Sequence, residues 1–396
     1  MKHIKDPLHG YIDVPEPELT IINTPIYQRL RRIKQLGMSE TVYPSASHTR
    51  FAHSLGVMHL ARKLGDSIGL PDKQVRENQV AGLLHDSGHL PFSHTFEDLF
   101  DSRVGYSHEK ISCDYIDQLQ SDNNVDFPVD PEAVKNIIMG RYDGTNLVSN
   151  EIDCDRLDYL LRDSYHTGIQ LGKIEHDTLI KFAGRINGEL GFDHKSLRSV
   201  ERLLDARMQM NYSVYSHDTV NITETMLERS VELHVDNTAD EMTDFVGLDD
   251  SEMSYLLLNS DYDPAAELYS FVRDRKLYKT AYYNPLEDRD VEILQDIQSK
   301  LSDDVQSHEE EIADIAGVDR HKVLISSVDY KQIPRYTTPI RTPMGDIRDF
   351  EDMSPKPEAL RQNMRMDQNI HVFTHPSCTE TVSEASDSYI RSLDVL

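Results

Sequence analysis

Residues 72–94 read DKQVRENQVAGLLHDSGHLPFSH, and the rest of the chain is read outward from this stretch. Apolar groups at Val75, Val80, Leu83 and Leu84 follow the recurrence of an amphipathic helix, and Gly88 and Pro91 stop a helix predicted over 72–86. The stop is dense in chemistry. His85 and Asp86 stand side by side at the helix end, and His89 and His94 follow, with His53 upstream and Asp155 downstream. Adjacent imidazole and carboxylate groups at a helix end converge on one ion when an earlier and a later helix add a third and a fourth ligand. Such a mixed N/O set suits borderline or hard divalent ions (Mn, Fe, Ni, Zn or Mg) better than soft ones. A lone His-Asp pair most often does no more than hydrogen-bond. Here His89, His94 and His108 add imidazoles that titrate near neutral pH, and they serve either as acid–base groups or as loop caps.

Working outward, residues 53–69 carry Val57, Leu60, Ala61, Leu64 and Ile68 at helical spacing. Residues 151–163 predict another helix, with Leu157, Leu160 and Leu161 on one side. Its opposite side presents Asp155, Tyr159 and Asp163 at i, i+4 and i+8, so two carboxylates and a phenol share one face. Asn187-Gly188 between Lys181–Ile186 and Glu189–Phe192 is a hairpin signal, the one clear β element of the first half. The expected organisation is a mainly α chemical half over 1–235, then an acidic C-terminal α+β lobe over 236–375 with a strand candidate at Val323–Val328. A polar, disordered tail is expected over 376–396. Neither a GxxxxGK[ST] loop nor a GxGxxG turn occurs, so the common glycine-rich nucleotide cradles are absent from the sequence.

The 396 residues hold 69 Asp and Glu against 41 Lys and Arg, a net charge of −28. That charge repels nucleic acid and anionic lipid, so general affinity for either is unlikely on electrostatic grounds. The stretch from Ser230 to Val272 contains no Lys or Arg, which suggests a halophile-type surface; a merely acidic surface is the plainer reading. Three cysteines, Cys113, Cys154 and Cys378, without a CxxC pair, make neither a disulfide framework nor a cysteine zinc site. No apolar run is long enough to cross a bilayer, and the start MKHIKDPLHG lacks the apolar core of a signal peptide. A cytoplasmic protein with no membrane partner is expected.

Further motifs appear in order: Asp6-Pro7-Leu8-His9-Gly10-Tyr11-Ile12, Gln28-Arg29-Leu30-Arg31, Ile33-Lys34-Gln35-Leu36-Gly37, Ser47-His48-Thr49-Arg50-Phe51-Ala52-His53, the His85–His94 string, and Ile152-Asp153-Cys154-Asp155-Arg156-Leu157-Asp158-Tyr159. In this combination the chain resembles the HD-domain deoxynucleoside triphosphate triphosphohydrolases, in particular the branch with the animal SAM-and-HD-domain enzyme. The resemblance covers about residues 2–235. It implies a helical HD core with a small β-hairpin, followed by a C-terminal α+β region.

Position by position, the resemblance implies that His53, His85, Asp86 and Asp155 hold one divalent metal ion, with additional Mg possible on the nucleotide. His89, His94 and His108, with Glu97 as their carboxylate partner, would line the reaction centre; the family commonly carries Asp where Glu97 stands. Arg50 would contact a substrate phosphate, the alternative being a salt bridge within the core. Arg156, Tyr159, Asp163, Arg207 and Tyr215 would surround triphosphate and sugar. Gln35 and Leu36 would flank the sugar, with Leu36 and Tyr159 leaving no room for a 2′-hydroxyl. The branch also implies a homo-oligomer, dimer or tetramer, with an activating nucleotide between subunits. Lys2, Lys5, Gln28 and Arg31 are available for that role, and Asn23 stands where the animal enzyme has a guanine-reading acid. Three readings follow: a metal-dependent dNTP triphosphohydrolase, an HD-type phosphohydrolase or phosphodiesterase acting on other nucleotides or nucleic-acid ends, and a catalytically weak nucleotide sensor. The complete ligand set argues against the third, and the Leu36/Tyr159 pair favours deoxyribose.

Overall fold

Helices form where the apolar spacing calls for them. The computed structural model describes residues 1–171, 174–284, 296–301, 304–327, 335–366 and 369–393. The principal elements, in chain order, are strands β1 (Lys2–Asp6) and β2 (Gly10–Val14), helices α1 (Arg50–Ser67), α2 (Asp72–Leu84), α3 (His108–Ser121) and α4 (Cys154–Thr167), and strands β3 (Ala183–Ile186) and β4 (Glu189–Asp193). Then come α5 (Leu197–Met210), α6 (Asp218–Asn237), α7 (Asp263–Arg273), β5 (Lys279–Asn284), α8 (Val305–Ala316), β6 (Val323–Ser327), β7 (Pro339–Arg341), β8 (Ile347–Asp349), β9 (Ile370–Thr374) and α9 (Thr379–Leu393). The fold is mainly α, as expected, with small sheets.

Two packed units interleave along the chain. The first comprises Met1–Tyr215, Glu241–Met253 and Arg335–Pro357; the second comprises Ser216–Asp240, Ser254–Pro334 and Glu358–Leu396. In the first unit α1 is the central helix, with Val57, Met58, Leu60, Ala61 and Leu64 buried against Val80, Ala81, Leu83 and Leu84 of α2. Close approach is needed here: a Cβ on Gly82 would stand 3.0 Å from Val57 Cγ1 and 3.1 Å from the Met58 backbone nitrogen. Helix α4 packs on another side of α1. It starts on Asp153, whose carboxylate accepts from the Arg156 backbone N–H at 2.8 Å, and ends at Gly168, which takes the left-handed φ of 77°.

The Asn187-Gly188 turn joins β3 and β4 antiparallel, as predicted. The late chain extends this hairpin, β7 pairing parallel to β4 and β8 antiparallel to β7, in the order β3-β4-β7-β8. A second hairpin, β1–β2, escaped the sequence reading. Its strands are five residues each and mostly polar, so no long apolar alternation betrayed them.

The second unit is built on a three-stranded antiparallel sheet, β5-β9-β6, whose central strand β9 is buried along its whole length. The strand expected at Val323–Val328 is β6, and Val328 lies outside the described residues.

The tail expected over 376–396 requires correction. Residues Thr379–Leu393 form α9, and Val382, Ala385, Tyr389 and Ile390 join a buried cluster with Ile312, Val323, Ile325, Ile370 and Val372. Those four positions have the i, i+3, i+7, i+8 spacing of a helix face. The Ser, Thr, Glu and Asp residues between them dominated the composition and hid the face. Among the described residues, no helix is long and apolar enough to cross a membrane. The cysteines are free.

A disordered tail would tolerate any substitution, whereas a buried helix face would not. Ile390→Ala should cost about 2–5 kcal/mol of stability in the unit that contains it. Chemical denaturation with tryptic protection as a second readout checks this, and wild-type stability would return residues 379–393 to the status of a tail.

Candidate metal centre and catalytic pocket

Three elements bring the predicted ligands together. Helix α1 carries His53, the end of α2 supplies His85 and Asp86, and the first turn of α4 supplies Asp155. His53, His85 and Asp86 each offer a ligand atom within 4.8 Å of the others. Asp155 Oδ1 completes the set, 2.9 Å from His53 Nε2 and 3.5 Å from His85 Nε2. Asp86 Oδ1 lies 3.2 Å from His85 Nε2, and Asp86 Oδ2 lies 3.7 Å from His53 Nε2.

The protonation pattern explains why these atoms face one another. His53 Nδ1 donates to Asp158 at 2.9 Å, and His85 Nδ1 donates to the Gly82 carbonyl at 3.0 Å. In the neutral imidazoles both Nε2 atoms therefore present lone pairs toward carboxylate oxygens, and His85 Nε2 is buried with no hydrogen-bond partner. Lone pairs facing carboxylates repel unless a proton or a cation stands between them. The edges of the cluster match the roughly 3.0–3.5 Å separation between ligands bonded to one ion at about 2.1 Å. The donor set fits a divalent cation.

Without a cation, a proton takes its place. Burial disfavours protonation of His53, but its hydrogen bonds to Asp155 and Asp158 outweigh burial and lift its pKa to about 10. Burial likewise opposes the charged form of Asp155, and His53 and His85 overcome it, holding that carboxyl below its ordinary range.

Behind the ligands sits Asp158, wholly buried. Besides His53 Nδ1 it accepts from His9 Nε2 at 2.6 Å and from Arg162 Nε and NH2 at 2.8 and 3.0 Å. Arg162 NH1 donates in turn to Asp6, whose other oxygen accepts from the Leu8 and His9 backbone N–H groups. The β1–β2 hairpin thus helps fix the tautomer of His53 through Asp158. A Cβ on Gly56 would lie 1.9 Å from Asp158 Oδ1, so only glycine allows the carboxylate this close to α1.

The loop after α2 forms the other wall. A Cβ on Gly88 would meet the His108 carbonyl at 2.2 Å, and the Gly88 N–H donates to Ser112 Oγ, which itself donates to the His85 carbonyl. This latch brings α3 against the loop and stacks His108 on His89, ring centroids 3.9 Å apart. Phe92 and Ser93 both take left-handed φ, near 60°, a cost of order 1–3 kcal/mol each that marks a constrained functional turn. Glu97 gathers the histidines as expected. Its oxygens lie 2.5 Å from His89 Nδ1, 2.6 Å from His94 Nδ1 and 3.2 Å from His108 Nδ1. Burial, Arg50 and His108 depress the His89 pKa to about 4, so His89 is neutral near pH 7, while Glu97 raises that of His108 against burial. His94 is the member of this group most open to solvent.

Arg50 is not an open cation. Its side chain is buried and engaged on three sides, with Asp86 Oδ2 at 2.7 Å, Ser93 Oγ at 2.8 Å and His94 Nε2 at 3.1 Å. The core salt bridge weighed in the sequence is present, and it orients a metal ligand.

The expected substrate residues border a second cluster. Tyr215 donates to Asp163 Oδ2 at 2.6 Å, and Asp163 Oδ1 accepts from His48 Nε2 at 2.8 Å. Gln35 attaches to this chain through its backbone N–H on the His48 carbonyl at 2.9 Å, with its own side-chain oxygen buried and unpaired and Leu36 half-buried beside it. Arg156 Nε and NH1 are buried without hydrogen-bond partners, and its charge lies near the Tyr159 phenol and the Asp153 carboxylate. Arg207 NH1 donates to the phenol of Tyr336, a residue that no local pattern singles out. Asp158 and Arg162 were also missed, because an i, i+4 Asp/Arg pair reads as an exposed helix face until tertiary packing buries it. The residues expected to bind an activating nucleotide lie elsewhere: Lys2, Lys5, Asn23 and Arg31 are exposed, Lys5 over the Tyr11 ring at 4.3 Å, and Gln28 accepts from Arg31 at 2.8 Å.

Comparison with known proteins agrees with this geometry. The family model described as HD domain matches residues 50–163, and that described as HD associated region matches 174–393. The chain is 38% identical over 298 residues to the uncharacterized protein MJ1154 of Methanocaldococcus jannaschii, covering 72% of this chain and 62% of that one. It is 31% identical over 307 residues to the deoxynucleoside triphosphate triphosphohydrolase SAMHD1 homolog of Dictyostelium discoideum, covering 70% and 59%. The chain thus spans about six-tenths of the length of these two relatives. Among solved structures it is similar to a phosphohydrolase from Bacteroides thetaiotaomicron, with a TM-score of 0.74, 27% identity, and coverage of 95% and 100%.

Two outcomes are expected of the metal centre. Asp158→Asn should weaken binding of Mn or Zn about 10–100-fold, the usual cost of disturbing the partner of a metal-bound imidazole. In the metal-free protein the raised His53 pKa favours the fold below pH 6.5, and that support is lost as pH climbs through about 10. Metal must displace this proton, so affinity should rise about tenfold per pH unit between pH 7 and 9, with one proton released. Calorimetry in two buffers of different ionisation enthalpy measures both, and pH-independent affinity would contradict the assignment.

Proposed function

Because this chain belongs to the HD-domain phosphohydrolase family with an HD-associated region, we propose that it is a metal-dependent dNTP triphosphohydrolase that releases deoxynucleoside and inorganic triphosphate. One observation carries the reading: His85 Nε2, buried without a hydrogen bond, lies 3.5 Å from Asp155 Oδ1, and Arg156, on the same helix as Asp155, has Nε and NH1 buried without partners. A cation is called for at one end of that face and an anion beside it. A nucleotide triphosphate with its divalent ion supplies both charges.

A divalent ion held by His53, His85, Asp86 and Asp155 supplies Lewis-acid polarisation of a phosphoryl oxygen and lowers the pKa of water. Arg156 and Arg207 bind the triphosphate and offset the charge that grows as the bond to the 5′ oxygen lengthens. Arg50 holds Asp86 in place. His94, its Nδ1 fixed on Glu97, is the exposed imidazole and gives a proton to the departing 5′ oxygen. When Nε2 carries that proton it no longer accepts from Arg50 NH2, which is released toward the substrate. Neutral, buried His89 stacks on His108. The Leu36/Tyr159 pair selects deoxyribose, as in the sequence reading. The relative from Dictyostelium, whose name states dNTP triphosphohydrolase activity, supports the same choice. Assembly of several copies, with an activating nucleotide at Lys2, Lys5, Asn23, Gln28 and Arg31, belongs to the same proposal.

Purified protein offered dNTPs, NTPs and cyclic nucleotides with Mn, Mg or Fe, at low and molar salt, should yield deoxynucleoside and intact triphosphate from dNTPs. Pyrophosphate plus a monophosphate would refute the proposal, since a different bond would be cut. Asp155→Ala and His85→Ala should each lower turnover by at least 1,000-fold with the helical signal retained, by the magnitude usual for loss of an essential catalytic group.

A further inference from the structure

Two guanidinium groups, those of Arg156 and Arg207, lie in a protein whose carboxylates outnumber its cations 69 to 41. Yet among the described residues neither makes an ion pair with a carboxylate. Arg207 NH1 donates instead to Tyr336 Oη at 3.1 Å, and Arg156 lies near the Tyr159 phenol and the Asp153 carboxylate without an ion-pair contact. The difference is electrostatic. A carboxylate partner would orient a guanidinium and cancel its charge, whereas a phenol orients it through one of its five donors and leaves the charge whole.

Tyr336 comes from the late chain, far in sequence from the catalytic helices, and it is rigidly placed. It is 3% exposed, its backbone N–H donates to Glu351 at 2.9 Å, and its ring meets Phe350 edge-on. The two residues after it are bracketed by one carboxylate. Glu151 Oε1 accepts from the Thr337 N–H and hydroxyl at 2.8 and 2.9 Å, and Oε2 accepts from those of Thr338 at 2.8 and 2.6 Å. Glu151 precedes by two residues the Asp153 that caps α4, so the segment bearing Tyr336 is tied to the start of the helix that carries Asp155, Arg156 and Tyr159.

We propose that Tyr336 is a positioning residue of the anion pocket, one that aims the undiminished charge of Arg207, beside the unpaired nitrogens of buried Arg156, at a polyphosphate chain. The assignment rests on the phosphohydrolase reading for its substrate. Its physical content is a polyphosphate site that depends on a phenol from the HD-associated region.

Inorganic tripolyphosphate, titrated by calorimetry into the metal-loaded full chain, tests this without turnover. Tyr336→Phe should weaken binding about tenfold, and Tyr336→Glu, which neutralises Arg207, about 100-fold or more. With dNTP as substrate, Tyr336→Phe should raise KM about tenfold and change kcat less than threefold, a split that general destabilisation would not produce. Melting temperatures of the variants are measured alongside. In an Arg207→Ala background Tyr336→Phe should have no further effect, because the phenol acts through that guanidinium. Absence of tripolyphosphate binding by the wild type, wild-type affinity of Tyr336→Phe, or an equal loss in the Arg207→Ala background would each overturn the proposal. If tripolyphosphate binds as expected and no nucleotide is hydrolysed, the functional reading fails and this one stands.

Discussion

The buried carboxylate of Asp158 is the constraint on which the catalytic unit depends. Four donors from three parts of the chain converge on it: His53 from α1, His9 from the β1–β2 turn, and two nitrogens of Arg162 from its own helix. A carboxylate removed from water is costly unless its lone pairs are satisfied, and here the surrounding cations hold its pKa far below the ordinary value against the burial that would raise it. The network can exist only if α1 and α4 approach closely enough to exclude a methyl group, and Gly56 permits this. Orientation of the His53 imidazole then follows, and with it the direction of the lone pair offered to a metal.

The same economy of space shapes the loop after α2. Gly88 lets the α3 N-terminus touch the loop backbone, Ser112 latches that contact, and His108 is thereby delivered to His89 and Glu97. Left-handed Phe92 and Ser93 turn the chain so that Ser93 Oγ meets Arg50, which steadies Asp86. The His53–His85–Asp86–Asp155 cluster, the Glu97 histidines and their supports are therefore one connected structure in which a shift of any helix is felt throughout.

The charge of −28 acquires a different meaning in this setting. It weighs against polyanionic partners in general, but the fold sequesters arginines whose partners are phenols, hydroxyls or nothing. Arg50 is paired with Asp86, whereas Arg207 is held by the Tyr336 phenol and makes no ion pair with a carboxylate among the described residues. A negative exterior and a positive pocket are compatible because the low local dielectric and short distances of the pocket dominate over the screened field of the surface.

Helix positions in the first unit, the Asn187-Gly188 hairpin and the four residues that converge, His53, His85, Asp86 and Asp155, were legible in the sequence, because they rest on local periodicity, turn chemistry and motif order. The β1–β2 hairpin and α9 were not, since short polar strands and a narrow apolar face in a polar segment give weak local signals. Local pattern placed imidazoles and carboxylates at the ends of amphipathic helices. Packing settled which Asp of α4 meets His53 Nδ1 and which meets His53 Nε2, whether Arg50 is engaged inside the core, and that a tyrosine some 130 positions beyond Arg207 meets its guanidinium. Each of those outcomes depends on distances between elements remote in sequence, and such distances are set by close packing, which no local pattern encodes.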